Sequence, residues 1–239
     1  MNRSAISWTE RTWNPVFGCT KVSAGCDNCY AERIAKGFGK DFSKVELKPH
    51  KLAEPLGLKD PTMIFVNSMS DLFHSEVPDS FLNSCFVTML KAPQHTYQIL
   101  TKRPQRMLNY QHDHFPEGFP SHIWLGTSIE DNRVIGRLAI LKQIRGVRFV
   151  SFEPLIGSAM PCDLSGIQWA ITGGESDYHN PRPANPDWFR EIRDECAKKG
   201  VAYFHKQNGG AKKCVCHNVW GCEILDGNTY HEYPHVDSL

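Results

Sequence analysis

The sequence predicts an α/β protein built as a partial or full (β/α) barrel of about six to seven parallel strands. Stretches with helical spacing of apolar residues alternate with short runs rich in β-branched and aromatic residues, which is the pattern of repeated βα units. A polar or ionisable segment also follows each run directly. The runs that predict strands lie at 63–67, 97–101, 123–127, 148–151, 169–173 and 202–205.

The helices are predicted from apolar spacing and from start signals. In the stretch 78–90, Phe81, Leu82, Phe86 and Leu90 recur at helical spacing. Pro186 marks the start of a later helix, because proline is favoured in the first turn. Two further helices are predicted at 31–35, after the first cysteines, and at 132–144.

The residues that follow the predicted strands are the second observation. In a βα barrel the carboxyl ends of the strands converge on one mouth, where active sites lie. We therefore expect these side chains to share a site, although polar residues at strand ends are common in any loop. An acid or a base follows each strand: Asp71, Lys102 with Arg103, Glu130, Glu153, Glu175 and Lys206.

Length and composition limit the class of protein. The chain has 239 residues, of which 41% are hydrophobic and 22% charged, with a net charge of +1. We divide it into a barrel-like domain at 1–210 and a Cys/His-rich extension at 211–239. The near-neutral charge gives no global field toward nucleic acid or membrane. Without an apolar leader or a spanning run, we expect a cytoplasmic protein with no membrane partner.

Three clustered cysteines carry the strongest chemical signal. Cys19, Cys26 and Cys29 have the spacing C-x6-C-x2-C. Three thiolates can hold three irons of a [4Fe–4S] cluster and leave the fourth iron open to a ligand. A zinc site with a distant fourth ligand, or disulfides in an oxidising compartment, are the alternatives.

A second cysteine group lies in the extension. Cys214, Cys216 and Cys222 form C-x-C-H-x4-C, which can ligate zinc or an auxiliary cluster. Free thiols in a reducing compartment are the alternative reading.

The first cysteine loop and several strand ends resemble known families. The chain is similar to a phage- and prophage-associated three-cysteine-motif family, and more distantly to the radical S-adenosylmethionine (SAM) superfamily. It departs from the superfamily in having six residues, rather than three, between its first two cysteines. The matching segments are 13–23, 29–32, 68–74, 100–104, 151–155, 173–176 and 225–227.

The resemblance implies a [4Fe–4S] cluster, bound SAM and an electron donor, with a neighbouring-gene partner protein as a further expectation. The cluster would be held by the first three cysteines, and SAM by side chains at the strand ends. Some of these residues have structural alternatives, since Asp71 can cap a helix and two glycines can form a tight turn. The implied SAM contacts are Tyr30, Ser68, Ser70, Asp71, Thr127, Ser128, Glu130, Gly173 and Gly174.

Catalytic and substrate residues are predicted from charge at the mouth. Glu153 and Lys206 each follow an apolar strand and Glu175 follows a glycine pair, so we predict catalytic roles for all three. A simple ion pair between Glu153 and Lys206 is the alternative. A basic cluster of Lys102, Arg103 and Arg106 is predicted to bind substrate, with a solvated helix face as its alternative.

The leading function is therefore a radical SAM-type enzyme acting on a nucleotide or nucleic acid, in modification or in repair like that of spore photoproduct lyase. The second reading is a non-catalytic zinc or iron–sulfur module that contacts nucleic acid or a partner protein. The third is a metal-dependent nuclease or hydrolase that uses Asp71, Glu153 and Glu175.

Overall fold

A computed structural model of the chain describes residues 1, 3–176, 180–215 and 218–235. Its centre is a sheet of seven parallel strands that curls into a half-barrel, which confirms the predicted fold class. Each strand pairs with the next one of the sheet along the chain, so successive βα units lie side by side. In spatial order the strands are β1 (Arg11–Trp13), β4 (Met63–Val66), β5 (Thr96–Thr101), β6 (Ile123–Ser128), β7 (Val147–Phe152), β8 (Trp169–Gly173) and β9 (Ala202–Gln207).

The six predicted strands correspond to β4 to β9, whereas β1 was missed. β1 is three residues long and begins with arginine and threonine, so it shows no apolar run. Two further short strands, β2 (Val16–Phe17) and β3 (Glu46–Leu47), pair antiparallel. The three-cysteine loop and the first helix lie between them in sequence, so this small sheet closes the base of that insertion.

Five α-helices are present in the described part of the chain. Four of them fall where the sequence predicts helices, although the predicted helix at 132–144 is shorter than expected. The helix at Pro104–His114 was missed because its sequence is mostly polar. The helices are α1 (Tyr30–Gly37), α2 (Asp79–Lys91), α3 (Pro104–His114), α4 (Gly136–Leu141) and α5 (Pro186–Lys199).

Alternation along the strands gives the sheet two apolar faces. On β7, Val150 and Phe152 belong to the core that packs against the helices. Val147 and Phe149 belong to a second cluster on the opposite, concave face. That cluster is rich in aromatic rings and fills the half-barrel below its mouth, which leaves the carboxyl ends of the strands for polar side chains. Its members are Trp8, Phe65, Trp124, Val147, Phe149, Trp169, Ile171 and Phe204.

The C-terminal segment covers the edge of the sheet at β9. The amide of His205 donates to the carbonyl oxygen of Tyr230 at 2.8 Å, and the amide of Glu232 donates to the carbonyl oxygen of Tyr203 at 3.1 Å. This pairing covers a strand edge that would otherwise be open. The boundary between 1–210 and 211–239 stays a prediction. Within the described residues, no helix is long and apolar enough to cross a membrane.

Candidate functional site

The three cysteines lie on one loop between β2 and α1. Gly18 begins the loop with a φ of +91°, and a Cβ there would lie 2.0 Å from the carbonyl oxygen of Lys44, so only glycine fits. The amide of Gly18 donates to the carbonyl oxygen of Met69 at 3.0 Å, which holds the loop beside the end of β4. The free, half-buried thiols of the loop are those of Cys19, Cys26 and Cys29.

The last cysteine is tied to the first helix. Cys29 is the N-cap residue of α1, and Tyr30 is its first residue. The hydroxyl of Tyr30 donates to the carbonyl oxygen of Ser68 at 2.7 Å. This bond joins the start of α1 to the same end of β4 that holds Gly18, so both ends of the loop are fixed at one place.

Asp71 and Arg103 form the first of three ion pairs that hold the three-cysteine loop against the ends of the strands. Asp71 is buried, and its carboxylate accepts hydrogen bonds from the hydroxyl of Thr101 at 2.7 Å and from Nη1 of Arg103 at 2.8 Å. The same Nη1 lies 3.6 Å from Sγ of Cys19, and Nη2 donates to the carbonyl oxygen of Thr20 at 3.0 Å. The guanidinium therefore links a buried carboxylate to the first cysteine.

The environment of Cys19 contains opposing charges. Burial and the nearby Asp71 raise the pKa of the Cys19 thiol, whereas Arg103 lowers it, and the net shift is upward. A cation in contact with sulfur favours the thiolate, which is the form that ligates iron. Arg103 therefore offsets part of the cost of ionising a half-buried thiol.

A buried histidine, which sequence reasoning missed, holds the next residue of the loop. Nε2 of His74 lies 2.7 Å from the hydroxyl of Thr20, and Nδ1 accepts the amide of Glu76 at 3.2 Å. Since Nδ1 accepts, we assign the proton to Nε2, which donates to Thr20. Burial and the charge of Arg103 lower the pKa of His74, so the neutral ring is favoured.

Glu130 fixes the middle of the loop. Its side chain is 1% exposed, and it accepts hydrogen bonds from Ser23 at 2.9 Å and from Arg137 at 3.0 Å. Nζ of Lys102 lies 3.2 Å from the same carboxylate. Gly25 packs directly on it, since a Cβ there would lie 2.2 Å from Cγ of Glu130. The loop thus rests on a buried carboxylate that two cations neutralise.

Glu175 fixes the third part of the loop through Arg182, another residue that sequence reasoning missed. The two side chains form an ion pair, and Asn28 donates to the same carboxylate at 2.7 Å. Arg182 also donates to the carbonyl oxygen of Ala24 at 2.9 Å. Burial alone would raise the pKa of Glu175, but the bonds from Arg182 and Asn28 outweigh it and lower that pKa.

The loop is therefore held by three buried carboxylates that follow alternate strands, β4, β6 and β8. Each carboxylate has a cationic partner, and two of those partners, Arg103 and Arg182, reach the loop themselves. Removing one partner of a buried pair leaves an uncompensated charge that costs about 3–5 kcal/mol. Such pairs specify the position of the loop more than they add stability. In this arrangement Asp71, Glu130 and Glu175 position the loop.

Glu153, directly after β7, and Lys206, near the end of β9, form an ion pair at 2.9 Å. The hydroxyl of Ser151 donates to Glu153 at 3.1 Å. Gly173 leaves room for this pair, because a Cβ there would lie 2.6 Å from the carboxylate. The two charges have no direct hydrogen bond to the three-cysteine loop among the described contacts.

Two of the serines predicted to contact SAM bond to the protein. The Ser68 hydroxyl and the Asn14 side chain are hydrogen-bonded at 3.0 Å. The Ser70 hydroxyl donates to the carbonyl oxygen of Val16 at 3.0 Å. Both therefore help to join the end of β4 to the segment that leads into the loop.

The other predicted cofactor residues lie at the ends of β6 and β8. The hydroxyl of Thr127 donates to a carbonyl oxygen of β5 at 2.8 Å. Ser128 is buried, and its carbonyl oxygen accepts a bond from Arg137 at 2.9 Å. Gly174 packs against backbone, since a Cβ there would lie 2.1 Å from the carbonyl oxygen of Asn208. The close approach that this glycine permits is to the protein's own chain.

Asn67 is a further residue that the strand-end pattern missed. It follows β4 directly and is 3% exposed, yet neither polar atom of its side chain has a hydrogen-bond partner within the described part of the chain. Leaving a buried donor and acceptor unpaired costs about 1–3 kcal/mol each. A side chain in that condition at the end of a barrel strand is suited to a ligand that supplies the missing partners.

The predicted substrate residues line a groove between α3 and α4 beside the mouth. Lys102 pairs with Glu130 and Arg103 with Asp71. Arg106 pairs with Asp79 at 2.7 Å. All three cations are therefore braced by carboxylates, and any anion bound in the groove would have to share them.

The second predicted metal group is only partly described. Cys214 and Cys222 are half-buried, and the carbonyl oxygen of Cys222 accepts the amide of Asn208 at 2.7 Å. Cys216 lies outside the described residues. The role of this group stays a prediction.

A site for a single metal ion needs several ligand side chains that converge on one point. Across residues 1, 3–176, 180–215 and 218–235, no three His, Cys, Asp or Glu side chains converge closely enough to hold one metal ion. Asp71, Glu153 and Glu175 thus do not form the single-ion site that a hydrolase would need. A four-iron cluster places a separate iron at each thiolate, so its cysteines need not meet at one point.

The sequence of the whole chain decides its family. The family model described as "Protein of unknown function (DUF5131)" matches residues 3–234. The chain belongs to this family. A comparison with curated proteins found no match. The predicted membership of a family of unknown function therefore agrees with this match. The predicted association with phage stays an expectation.

The fold of this DUF5131 member is similar to that of a solved structure, a cysteine-to-serine mutant of spore photoproduct lyase. The TM-score is 0.50 and the sequence identity 15%, over 84% of this chain and 64% of that chain. The DUF5131 chain therefore spans under two thirds of the length of the structure it matches. At this identity the likeness shows a shared fold, and it agrees with the half-barrel described above.

Proposed function

We propose that this chain is a radical SAM-type iron–sulfur enzyme whose cluster is held by Cys19, Cys26 and Cys29. The observation that supports this most strongly is the loop itself. Three free thiols lie on one short segment at the mouth of a half-barrel, fixed by buried carboxylates from three strand ends. A loop held in this way offers soft ligands in a fixed position, as a cluster requires.

The residues present fit a cluster and a bound cofactor. The donors are thiols, which select iron–sulfur or zinc over hard metals. The side-chain amide of Asn67, buried directly after β4, has a donor and an acceptor left for an organic ligand, which would have to uncover it to bind.

When bound and reduced, a [4Fe–4S] cluster with one open iron would supply the electron that cleaves SAM to a 5′-deoxyadenosyl radical. The residues of this chain would hold the cysteine loop in place and orient its thiols. Arg103 holds Cys19 and Thr20 in place and puts positive charge beside the sulfur. Asp71 fixes Arg103, so its role is positioning rather than direct contact with SAM.

The charged pair at the ends of β7 and β9 is suited to polar parts of the ligands. Glu153 and Lys206 place a carboxylate and an ammonium next to each other. A zwitterionic group such as an amino acid head can exchange partners with that pair at low cost. The predicted catalytic roles of Glu153 and Lys206 rest on this proposal, whereas Glu175 is a positioning residue that acts on the loop through Arg182.

A nucleotide or nucleic acid is the proposed substrate class. The groove lined by Lys102, Arg103 and Arg106 lies beside the mouth and presents cations next to aliphatic stems. Phosphate groups are the anions that arginine forks recognise best. The likeness to a lyase named for a spore photoproduct supports this choice, and the reaction, product and any partner encoded nearby belong to the proposal.

The test is an iron count on variants purified without oxygen. We expect Cys26→Ala to lose most of the iron while the chain stays folded, because the barrel core does not depend on the loop. Cys162→Ala is the matched control, since Cys162 is also half-buried but lies far along the chain from the loop. Equal iron in both variants would remove Cys26 from the ligand set, and zinc in place of iron would favour the non-catalytic module.

A further inference from the structure

The hydroxyl of Thr20, the residue after the first cysteine, contacts two nitrogen groups from outside the loop. Nε2 of His74 lies 2.7 Å from its oxygen, and Nη2 of Arg103 donates to the same oxygen at 3.1 Å. His74 lies between β4 and α2, and Arg103 lies between β5 and α3. The hydroxyl is therefore a point where the cysteine loop meets two segments that follow strands.

The other ring nitrogen fixes the direction of the histidine contact. The backbone amide of Glu76 donates to Nδ1 of His74 at 3.2 Å, so Nδ1 carries no proton. The proton of the neutral ring is then on Nε2, and a doubly protonated ring could not accept from Glu76 at all. In its contact with Thr20, Nε2 is therefore the donor.

The two accepted bonds use the whole acceptor capacity of the Thr20 hydroxyl. A hydroxyl has two lone pairs and one hydrogen. The lone pairs accept from His74 and Arg103, so the hydrogen needs a third partner. Among the hydrogen bonds of the described residues, none provides an acceptor for that hydrogen, and Thr20 is exposed. The hydroxyl is thus an obligatory donor that a ligand can reach.

The Nη hydrogens of Arg103 are all engaged within the protein. Those of Nη1 are directed to Asp71 at 2.8 Å and to Sγ of Cys19 at 3.6 Å. Those of Nη2 are directed to the carbonyl and hydroxyl oxygens of Thr20 at 3.0 and 3.1 Å. A ligand on this side of the guanidinium therefore meets the Thr20 hydroxyl rather than a free Nη–H group.

The groove between α3 and α4 reaches the same place and favours an anion. Phe73 and Ser75, the sequence neighbours of His74, line this groove, and so does Arg103. Its four cations pair with three carboxylates, because two of the cations share Glu130, so one positive charge is left over. The cations are Lys102, Arg103, Arg106 and Arg137.

A phosphate oxygen fits both the donor and the charge. A phosphate monoester is doubly ionised above a pH of about 6, so its oxygens only accept. We propose that Thr20 binds a phosphate oxygen of the substrate where the groove meets the cysteine loop, and so places the substrate beside Cys19. This inference rests on the proposed function, because it assigns a contact of the proposed nucleotide substrate.

The obligatory donor also selects among other groups. An ammonium group has only hydrogens to offer, and both lone pairs of the hydroxyl are in use, so it finds no partner here. The carboxylate of SAM is the competing acceptor. Phosphate is the better match, because the two residues that hold the hydroxyl, His74 and Arg103, lie beside or in the wall of the groove.

The experiment measures the affinity of the full-length protein, purified without oxygen, for thymidine 5′-monophosphate and for SAM. Thr20→Val keeps the shape of the side chain and removes the hydroxyl. Thr20→Ser is the matched control, since it keeps the hydroxyl and removes only a methyl group. Iron per chain and the urea midpoint of both variants report whether the loop has kept its place.

We expect Thr20→Val to lose at least about tenfold in affinity for thymidine 5′-monophosphate, because a hydrogen bond to a charged group is lost. Thr20→Ser should stay within about threefold of the unaltered protein. The affinity for SAM and the iron content of Thr20→Val should match those of the unaltered protein.

An unchanged affinity of Thr20→Val for thymidine 5′-monophosphate would overturn the contact and leave the proposed cluster intact. A loss confined to SAM would also overturn it and would assign the hydroxyl to the SAM carboxylate. Iron and affinity lost together in Thr20→Val would show a displaced loop instead of a direct contact. An unaltered protein that holds iron but does not bind the nucleotide would overturn the contact together with the proposed substrate class. Absence of iron from the unaltered protein would overturn the proposed cluster, while the nucleotide affinities still decide the contact.

Discussion

At the scale of single residues, Arg103 links the buried strand ends to the cysteine loop. This guanidinium contacts the buried carboxylate of Asp71, the carbonyl oxygen of Thr20 and the sulfur of Cys19. A planar fork of donors can make these contacts together, whereas the ammonium of lysine is a point charge on a flexible stem. Arg103 therefore contributes both to the stability of the fold, through Asp71, and to the position of Cys19, a proposed cluster ligand.

Replacing Arg103 separates those two effects. Arg103→Met leaves Asp71 buried without a cation, so we expect the free energy of unfolding to fall by about 3–5 kcal/mol and the iron content to drop. Arg103→Lys should recover much of the stability but less of the iron, because lysine cannot span all three partners. Urea unfolding and iron per chain measure the two effects, and a Met variant equal to the parent would contradict this role.

Replacing Asn67 should raise the free energy of unfolding, whereas replacing Arg103 lowers it. Asn67→Leu removes two unpaired polar atoms at nearly constant volume, so we expect the ligand-free protein to gain about 1–3 kcal/mol. The same change should weaken SAM binding at least about tenfold, because the ligand loses its partner. Calorimetry of SAM binding with urea unfolding tests both, and a less stable variant that binds SAM normally would refute the assignment.

His205 sets an expected pH dependence. It is fully buried, and burial lowers its pKa from 6.5 to about 4. Between these values the unfolded chain binds a proton that the folded chain does not, so stability should fall as pH falls from 6.5 toward 4. The full shift is worth about 3 kcal/mol. His205→Gln should lose less stability than the parent over that range, and an equal loss would assign the effect to other groups.

At the scale of elements, the three-cysteine loop depends on glycine at its entry. An alanine at Gly18 would meet the backbone of Lys44 in a conformation that L residues rarely adopt. We expect Gly18→Ala to cost about 1–3 kcal/mol and to lower the iron content. Gly37→Ala is the control, since nothing lies within 4 Å of a Cβ there. Iron retention that is the same in both would mean that the loop tolerates displacement.

The elements show where sequence patterns succeed. β4 to β9 were predictable because buried parallel strands carry continuous apolar runs. β1 and α3 were not, because a three-residue strand is too short for a pattern and α3 mixes polar residues with few apolar ones. The exposure of Ile34 and Phe38 beside the buried Ala31 and Ala35 was also beyond prediction, since the sequence does not say which apolar face of α1 is covered.

At the scale of the whole molecule, the residues at the mouth could be predicted from the sequence, but the ion pairs among them could not. Asp71, Glu130 and Glu175 were predictable as ionisable residues at strand ends. Their partners were not, because Arg182 and Arg137 follow Glu175 and Glu130 by seven residues along connecting segments whose path the sequence does not show. Similarly, Asn67 is buried without a hydrogen-bond partner because of how all its neighbours pack, and the sequence around it does not predict this.

The fold explains why these contacts converge. Consecutive parallel strands bring their carboxyl ends to one rim, and the insertion between β2 and β3 lies across that rim. The aromatic cluster fills the half-barrel below, so the polar side chains of the site collect at the rim itself. The whole molecule therefore presents one polar rim, one cysteine loop and one adjoining helix.

The three cysteines are proposed to hold a cluster with an open iron. The most direct test is oxygen-free reconstitution with iron, sulfide and zinc counts, followed by electron paramagnetic resonance of the reduced protein with and without SAM. We expect about four irons and four sulfides per chain, and a spectrum that changes when SAM is added. Zinc alone, or a cluster whose spectrum is indifferent to SAM, would contradict the account.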